Sequence, residues 1–270
     1  MNEKNLIRKI IGDQIKSIKA IHQGVSNTSY LVNQHFVIRV KSEKEHFYKY
    51  KNEKEILHKT SNLFLSEYVT YLDKDGNKVS EYIQHAHTFR GDNNEIIAVA
   101  KMLKKLHHAE IKTNIKFKPF KRYYYYQNKS DGEKFQHEAT VISRVEKLYN
   151  KYPLVMCHND LVDNNLLFTK TGSYLIDYEF AGKNIYLFDL ASFLSENEIK
   201  DKRKVKLFLS TYGFPLSNFD ELQDMIMFLN LLWYYWALER YNATKRNIFL
   251  KIVKMKKRAI VDGIKALSRR

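Results

Sequence analysis

Two short pieces of the chain hold side chains whose types and spacing suit phosphoryl transfer. The first is His158-Asn159-Asp160-Leu161-Val162-Asp163-Asn164-Asn165, a polar loop with an aspartate and an asparagine five residues apart. The second is Leu175-Ile176-Asp177-Tyr178-Glu179, with another aspartate at the end of a strand-like run, and Thr171-Gly172 marks a turn between the two. Moving a phosphoryl group onto an alcohol needs a carboxylate that orients the hydroxyl and accepts its proton. It also needs oxygen ligands that hold Mg²⁺ on the phosphates of ATP. Asp160 suits the first task, and Asn165 and Asp177 suit the second. Asparagine supplies an oxygen without adding negative charge beside the nucleotide. Aspartate and asparagine are also common turn formers. It is the ordered set His158, Asp160, Asn165 and Asp177 that points to catalysis.

The elements around these pieces follow from hydrophobic patterning. Residues 28–40 (TSYLVNQHFVIRV) predict two strands around a turn at Asn33-Gln34. Residues 44–60 predict a helix, and YVTYLDKDGNKVSEYI predicts a hairpin with its turn at Asp75-Gly76-Asn77. From about residue 90 the chain reads as mainly helical, with Ile96, Val99, Met102, Leu103 and Leu106 on one helical face. A strand-rich island at 153–179 interrupts the helices, which resume after 195. The expected class is α+β, with a small sheet-rich lobe over residues 1–84 and a larger helical lobe over 85–270. Arg39 lies inside the apolar run Phe36-Val37-Ile38-Arg39-Val40. A cation in such a strand is costly to bury without a partner. On an edge strand it would instead reach solvent.

The pattern H-x-D-x-x-x-x-N followed by I-D resembles the catalytic loop and metal-binding strand of the choline and ethanolamine kinases, within the aminoglycoside phosphotransferase and protein-kinase-like superfamily. Protein kinases carry the related H-R-D-x-x-x-x-N and D-F-G. Asn159 in place of arginine, and Tyr178-Glu179 after Asp177, favour the small-molecule branch. Further stretches carry the same resemblance. Gly24-Val25-Ser26-Asn27-Thr28-Ser29-Tyr30 is similar to its phosphate loop, and Asp177-Tyr178-Glu179-Phe180-Ala181-Gly182-Lys183-Asn184 to its D-Y-E-x-A-G-x-N stretch. Phe188-Asp189-Leu190-Ala191-Ser192 with Glu196, and Leu231-Leu232-Trp233-Tyr234-Tyr235-Trp236, match two later segments. The likeness runs from about residue 20 to 240.

The resemblance implies a bilobal protein-kinase-like fold that uses ATP and Mg²⁺ to phosphorylate the hydroxyl of choline. Asp160, His158 and Asn165 would be catalytic, and Asn165 and Asp177 would hold the metal. Ser26, Asn27, Thr28 and Arg39 would meet the nucleotide, with Glu53 as the first candidate partner of Arg39 and Glu55 as the second. The backbone of Glu81 and Ile83 would read adenine at the hinge. Asp160, Glu179, Glu196, Trp233 and Trp236 would face the acceptor.

Both tryptophans of the chain stand three residues apart on a predicted helix. A quaternary ammonium has no hydrogen-bond donors and is held by aromatic faces, each worth about 0.5–2 kcal/mol. The same spacing also suits ordinary core packing. Arg240 falls on the same stripe and would oppose a cation unless paired, with Glu239 or Glu196 as candidates. Aminoglycosides would want an acidic pocket, whereas residues 221–250 are rich in aromatics and bases. Ethanolamine stays open as an acceptor. A non-catalytic binding protein of the same fold would be expected to lose Asp160, Asn165 or Asp177, and all three are present.

The formal net charge of +16 attracts polyanions. The lysines are scattered and no nucleic-acid-binding module accompanies them. Cys157 is the single cysteine, so no internal disulfide is possible, which fits a reducing compartment. Its neighbour His158 would point to the opposite face of a strand, which argues against a thiol nucleophile. His107 and His108 are adjacent on a helix and poorly placed to share a metal. No apolar run is long enough to span a membrane and the first residues lack a secretory apolar core, so a cytoplasmic protein is expected. Oligomeric state leaves no trace in the sequence.

Overall fold

Asn33 and Gln34 take φ of 53° and 57°, left-handed values in the three-residue loop that joins Val32 to Phe36 in a hairpin. In the computed structural model, which describes residues 7, 8, 12, 15–23, 27–41 and 46–267, that turn joins β2 (Asn27–Val32) to β3 (Phe36–Lys41). Their antiparallel register runs from Asn27↔Lys41 to Val32↔Phe36. A strand not expected from the pattern, β1 (Ile18–Gln23), pairs with β2. It is tied to the hairpin by Asn33, whose Oδ1 accepts from the amides of Lys16 and Ser17 at 2.7 and 3.1 Å.

The expected helix begins at Tyr50, so α1 spans Tyr50–Thr60, with His46-Phe47 in a turn ahead of it. The expected hairpin forms from β4 (Val69–Leu72) and β5 (Lys78–Glu81), giving a five-stranded sheet in the order β1-β2-β3-β5-β4. Its turn needs glycine twice over. Gly76 has φ +89°, and a Cβ there would lie 3.0 Å from Lys41 Cδ and from the Tyr48 ring and hydroxyl.

The chain continues through β6 (His87–Thr88), α2 (Asn93–His108), α3 (Pro119–Ser130), α4 (Glu138–Lys151), β7 (Leu154–Cys157), β8 (Leu166–Phe168), β9 (Ser173–Leu175) and β10 (Gly182–Ile185). Four helices follow: α5 (Tyr186–Glu196), α6 (Lys202–Tyr212), α7 (Phe219–Thr244) and α8 (Asn247–Leu267). β10 extends the strand-rich island beyond residue 179. It pairs with β7, in register Gly182↔Cys157 to Ile185↔Leu154.

The chain divides into two compact units. The first comprises the described residues up to Thr88 together with Asn165–Phe180. Its five-stranded sheet buries Val32, Ile38, Val40 and Val79 with Ile7, and it also contains the small sheet β6-β8-β9. The second comprises Phe89–Asn164 and Ala181–Arg270. There α2 starts at a capping box in which Asp92 accepts from the Glu95 amide and Glu95 accepts in return. Its expected apolar face is buried, from Ile96 to Leu106. Helix α7 is apolar on nearly all sides, as a central helix must be, and packs against α3, α4, α5 and α8. Among the described residues no helix is long and apolar enough to cross a membrane.

Candidate active site

In the first unit, Arg39 does not reach solvent. Its side chain is 5% exposed and lies at the centre of an ion cluster. Nη2 donates to Glu53 Oε2 at 2.8 Å and to the Gly76 carbonyl at 3.1 Å, and Nη1 donates to Asp177. Of the two candidate partners, Glu53 is chosen, because Glu55 faces outward and pairs with Lys59. Burial works to strip the Arg39 proton, but Glu53, Asp177 and Glu179 outweigh it and hold the guanidinium charged. Burial likewise works to raise the Glu53 carboxyl, and Arg39 and Lys78 outweigh it, holding that group below its ordinary value. Tyr48 donates to the same Glu53 oxygen at 2.9 Å.

Sequence reasoning missed a second ring of charges around this pair. Lys41 meets Glu179 at 2.5 Å and Lys78 meets Glu67 at 2.6 Å, with all four side chains at most 6% exposed. The signal was present: Lys41 and Lys78 are also cations in strand segments, like Arg39.

Asn165 and Asp177 are brought together by the backbone. The Asn165 carbonyl accepts from the amide of Ile176 at 2.9 Å, which sets residue 177 beside the end of the polar loop segment. Asp177 has φ +64°, a strained value for a residue with a Cβ. The residues present suit a hard divalent cation. The cluster of Arg39, Lys41 and Lys78 with Glu53, Glu67, Asp177 and Glu179 holds four carboxylates against three cations. Asp177 is the most open of those carboxylates, at 24% exposed. Burial, and then the charge of Asp177, push the Glu179 carboxyl above its ordinary range. Together with the Asn165 amide these are oxygen donors of the kind Mg²⁺ takes.

Of the other residues expected to meet the nucleotide, Asn27 begins β2, is 9% exposed, and has an Oδ1 without a hydrogen-bond partner. Thr28 is half-buried on the same strand, and Ser26 lies outside the described residues. Glu81 ends β5 with its side chain exposed, and Ile83 follows in the connecting loop.

The second unit holds the loop of Asp160. Its backbone is anchored on both sides of that residue. Asp189 on α5 accepts from the amides of His158 and Asn159 at 2.8 and 2.7 Å. Ser192 accepts from the Leu161 amide at 3.2 Å, and Asn197 donates to the Leu161 carbonyl at 2.8 Å. Asp160 itself is half-buried, and His158 is fully buried. Asn159, at φ +66°, turns its side chain inward to Cys157, Gly182 and Asn184. So the asparagine that replaces the arginine of protein kinases pairs with the asparagine that ends the Asp177–Asn184 stretch, through 2.8 Å.

Asp189 also receives His107 Nε2 at 3.0 Å, and Tyr212 meets His107 Nδ1 at 2.9 Å. His107, Cys157 and Asp189 could in principle ligate a metal. Both Asp189 oxygens already accept hydrogen bonds, and burial, then Asp189, push the Cys157 thiol far above its ordinary value. The thiol is therefore protonated and inert, as its strand position implied.

Of the residues expected to face the acceptor, Trp233 and Trp236 form an edge-to-face pair with centroids 5.8 Å apart, and Phe249 of α8 stacks in a T against Trp236. Trp233 is 8% exposed and Trp236 is half-buried. Glu196 does not pair with Arg240. It meets Lys256 at 2.7 Å and lines a cavity of about 490 Å³ together with Asp163. Neither tryptophan lines that cavity. Arg240 lies over the Phe249 ring at 5.8 Å.

A sheet-borne, glutamate-paired arginine and an Asp-Asn loop whose backbone is anchored to a helix fit a kinase of small molecules, the class that the family match gives this chain. The chain belongs to the phosphotransferase enzyme family, whose model matches residues 17–223. It is 26% identical over 188 residues to Protein LicA of Haemophilus influenzae, which covers 61% of this chain and 69% of that one. Among solved structures it is similar to the choline kinase LicA of Streptococcus pneumoniae, with a TM-score of 0.83, 20% identity and coverage of 98% of this chain and 100% of that one. A structure of LicA in complex with AMP is similar at a TM-score of 0.78 and 19% identity, covering 97% and 99%. These structural likenesses establish the protein-kinase-like fold.

Proposed function

We propose that the protein transfers the γ-phosphoryl group of ATP to the hydroxyl of choline, giving phosphocholine. The residues to about 84 serve as a nucleotide-binding lobe and those from 85 onward as the lobe that carries the catalytic loop and the acceptor. The observation that carries the acceptor is the Trp233–Trp236 pair, in the same unit as Asp160. The likeness to the choline kinase LicA supports it.

Asp160 accepts the proton of the attacking hydroxyl, and the amide anchors to Asp189 and Ser192 hold it in place for that task. His158 braces the loop from within. Arg39, kept charged by Glu53, binds nucleotide phosphates, and Asn27 and Thr28, with Ser26, meet them from β2 and the turn before it. The backbone at Glu81 and Ile83 hydrogen-bonds adenine. Asn165 and Asp177 hold Mg²⁺, which when bound neutralises charge on the transferring phosphoryl group. Glu179, which holds Lys41, also serves the acceptor. The tryptophan faces and the Glu196 carboxylate receive the acceptor's ammonium head. ATP as donor places the reaction in the cytoplasm.

Ethanolamine is the second reading. A primary ammonium seeks hydrogen-bond acceptors, and Glu196 and Asp163 both line the cavity beside the catalytic loop. Coupled ADP release with Mg²⁺-ATP decides between them, using choline, ethanolamine, kanamycin and no acceptor. The expected result is choline-dependent release that exceeds release with ethanolamine. Release with kanamycin or ethanolamine alone overturns the acceptor but keeps the kinase. Trp236→Ala and Trp233→Ala are each expected to raise KM for choline about 3- to 30-fold, with a smaller effect on kcat. An unchanged KM in both variants would assign the pair to core packing.

A further inference from the structure

The buried lysine of the C-terminal helix has no part in the reaction described above. Lys256 on α8 is 2% exposed at its side chain and reaches Glu196 Oε1 at 2.7 Å. Its ammonium also donates to Asn230 Oδ1 on α7 at 3.3 Å, and Ser195 donates to that same oxygen at 3.0 Å. Lysine is almost never buried this deeply unless paired. The pair is therefore an internal one, and each member cancels most of the other's field.

Glu196 is the end of that pair that faces the cavity. Its side chain is 10% exposed. The rest of the wall is also matched in charge. Lys204 donates to the Gly91 carbonyl at 2.6 Å, Lys200 faces Glu198 at 3.6 Å, and Arg90 lines the same space. A cationic head that enters there meets a carboxylate with an ammonium already on its other side. The attraction it feels is that of a dipole rather than of a full negative charge.

We propose that Lys256 is a specificity-determining residue of the acceptor site. By neutralising Glu196 it limits how strongly the cavity favours a cationic alcohol over a neutral one of the same shape. The role depends on the acceptor's head lying close enough to Glu196 to feel its charge, as the choline reading above has it. Lys256 acts through Glu196 and does not touch substrate, so it is a positioning residue whose effect is on charge selection.

The test compares choline with 3,3-dimethylbutan-1-ol, which has the same shape and hydroxyl but no charge. The quantity read is the ratio of kcat/KM for the two, in the full-length protein. Lys256→Met is expected to raise that ratio about tenfold or more, because Glu196 is left unmatched. Glu196→Gln is expected to lower it by about tenfold, because Lys256 is left unmatched while its hydrogen-bond acceptor remains. The double variant should return to within about threefold of wild type. A purely structural strut would change stability and leave all four ratios equal, and equal ratios would overturn the proposal. Should Lys256→Met fail to fold, Glu196→Gln and the double variant decide the matter alone. Calorimetric binding of the two alcohols without ATP gives the same ratio independently of turnover. If wild type turns over choline and the ratios do not respond, only the role of Lys256 falls. If wild type neither binds nor phosphorylates either alcohol, the choline reading falls and this role with it.

Discussion

Asp160→Asn is expected to lower kcat by about 10²- to 10⁴-fold, the usual contribution of a positioned general base. The substitution keeps the size of the side chain and removes its ability to take a proton. Nucleotide affinity should hardly change, because the Arg39–Glu53–Asp177 cluster belongs to the other unit and does not contain Asp160. KM for the acceptor should change less than kcat, since a proton is taken up in the transition state rather than on binding. Coupled ADP release gives kcat, and calorimetry with Mg²⁺-ATP gives the affinity. Turnover at the wild-type rate would remove Asp160 from its proposed role. A loss of nucleotide binding equal to the loss of kcat would move the residue into the nucleotide site.

Glu53→Ala should have the largest effect on stability. The Glu53 side chain is fully buried and faces Arg39 at 2.8 Å and Lys78 at 3.6 Å. Removing one partner from a buried pair costs about 3–5 kcal/mol, since it strands the other charge. For a chain of this size that corresponds to a Tm lower by about 6–20 °C. KM for ATP should rise in the same variant, because Arg39 is left to Asp177 and no longer held toward the phosphates. Glu53→Gln still accepts a hydrogen bond and should lose less.

The pH dependence of that difference has a definite sign. The folded protein holds the Glu53 carboxyl below its ordinary value, against burial and by way of Arg39 and Lys78. The stabilisation is complete above the unfolded pKa, near ~4.3, and is lost as pH falls through the lower folded value. Wild type and Glu53→Gln should therefore differ most in denaturant midpoint at neutral pH and converge on acidification below about pH 4. A gap that stays constant down to pH 2–3, as a rough lower limit of the titration, would mean that Glu53 is held by packing rather than by charge.

Much of the frame is legible because its signals are local. The Asn33-Gln34 turn announces itself by a polar pair led by an asparagine, which tolerates positive φ, flanked by β-branched and aromatic neighbours. The face of α2 is written in the 3.6-residue spacing from Ile96 to Leu106. β10 was missed for the opposite reason. Gly182-Lys183-Asn184-Ile185 has weak strand character of its own, and it becomes a strand only because β7 offers it a partner across the chain.

The sequence by itself determined the chemical inventory: a polar loop with Asp160 and Asn165, Asp177 beyond a short hairpin, a cation in an apolar strand, and a tryptophan pair at helical spacing. Residue types and short spacings encode those directly. Tertiary structure decided which charges meet. Arg39 and Asp177 are 138 residues apart, as are Lys41 and Glu179, and Glu196 finds Lys256 across 60 residues rather than the nearer Arg240. It also gave Asp189, a carboxylate in the first turn of an apolar helix, its place against the loop of Asp160. Burial makes such choices, since a charge removed from water must pair with whatever the packing brings within reach, and no local pattern records that distance.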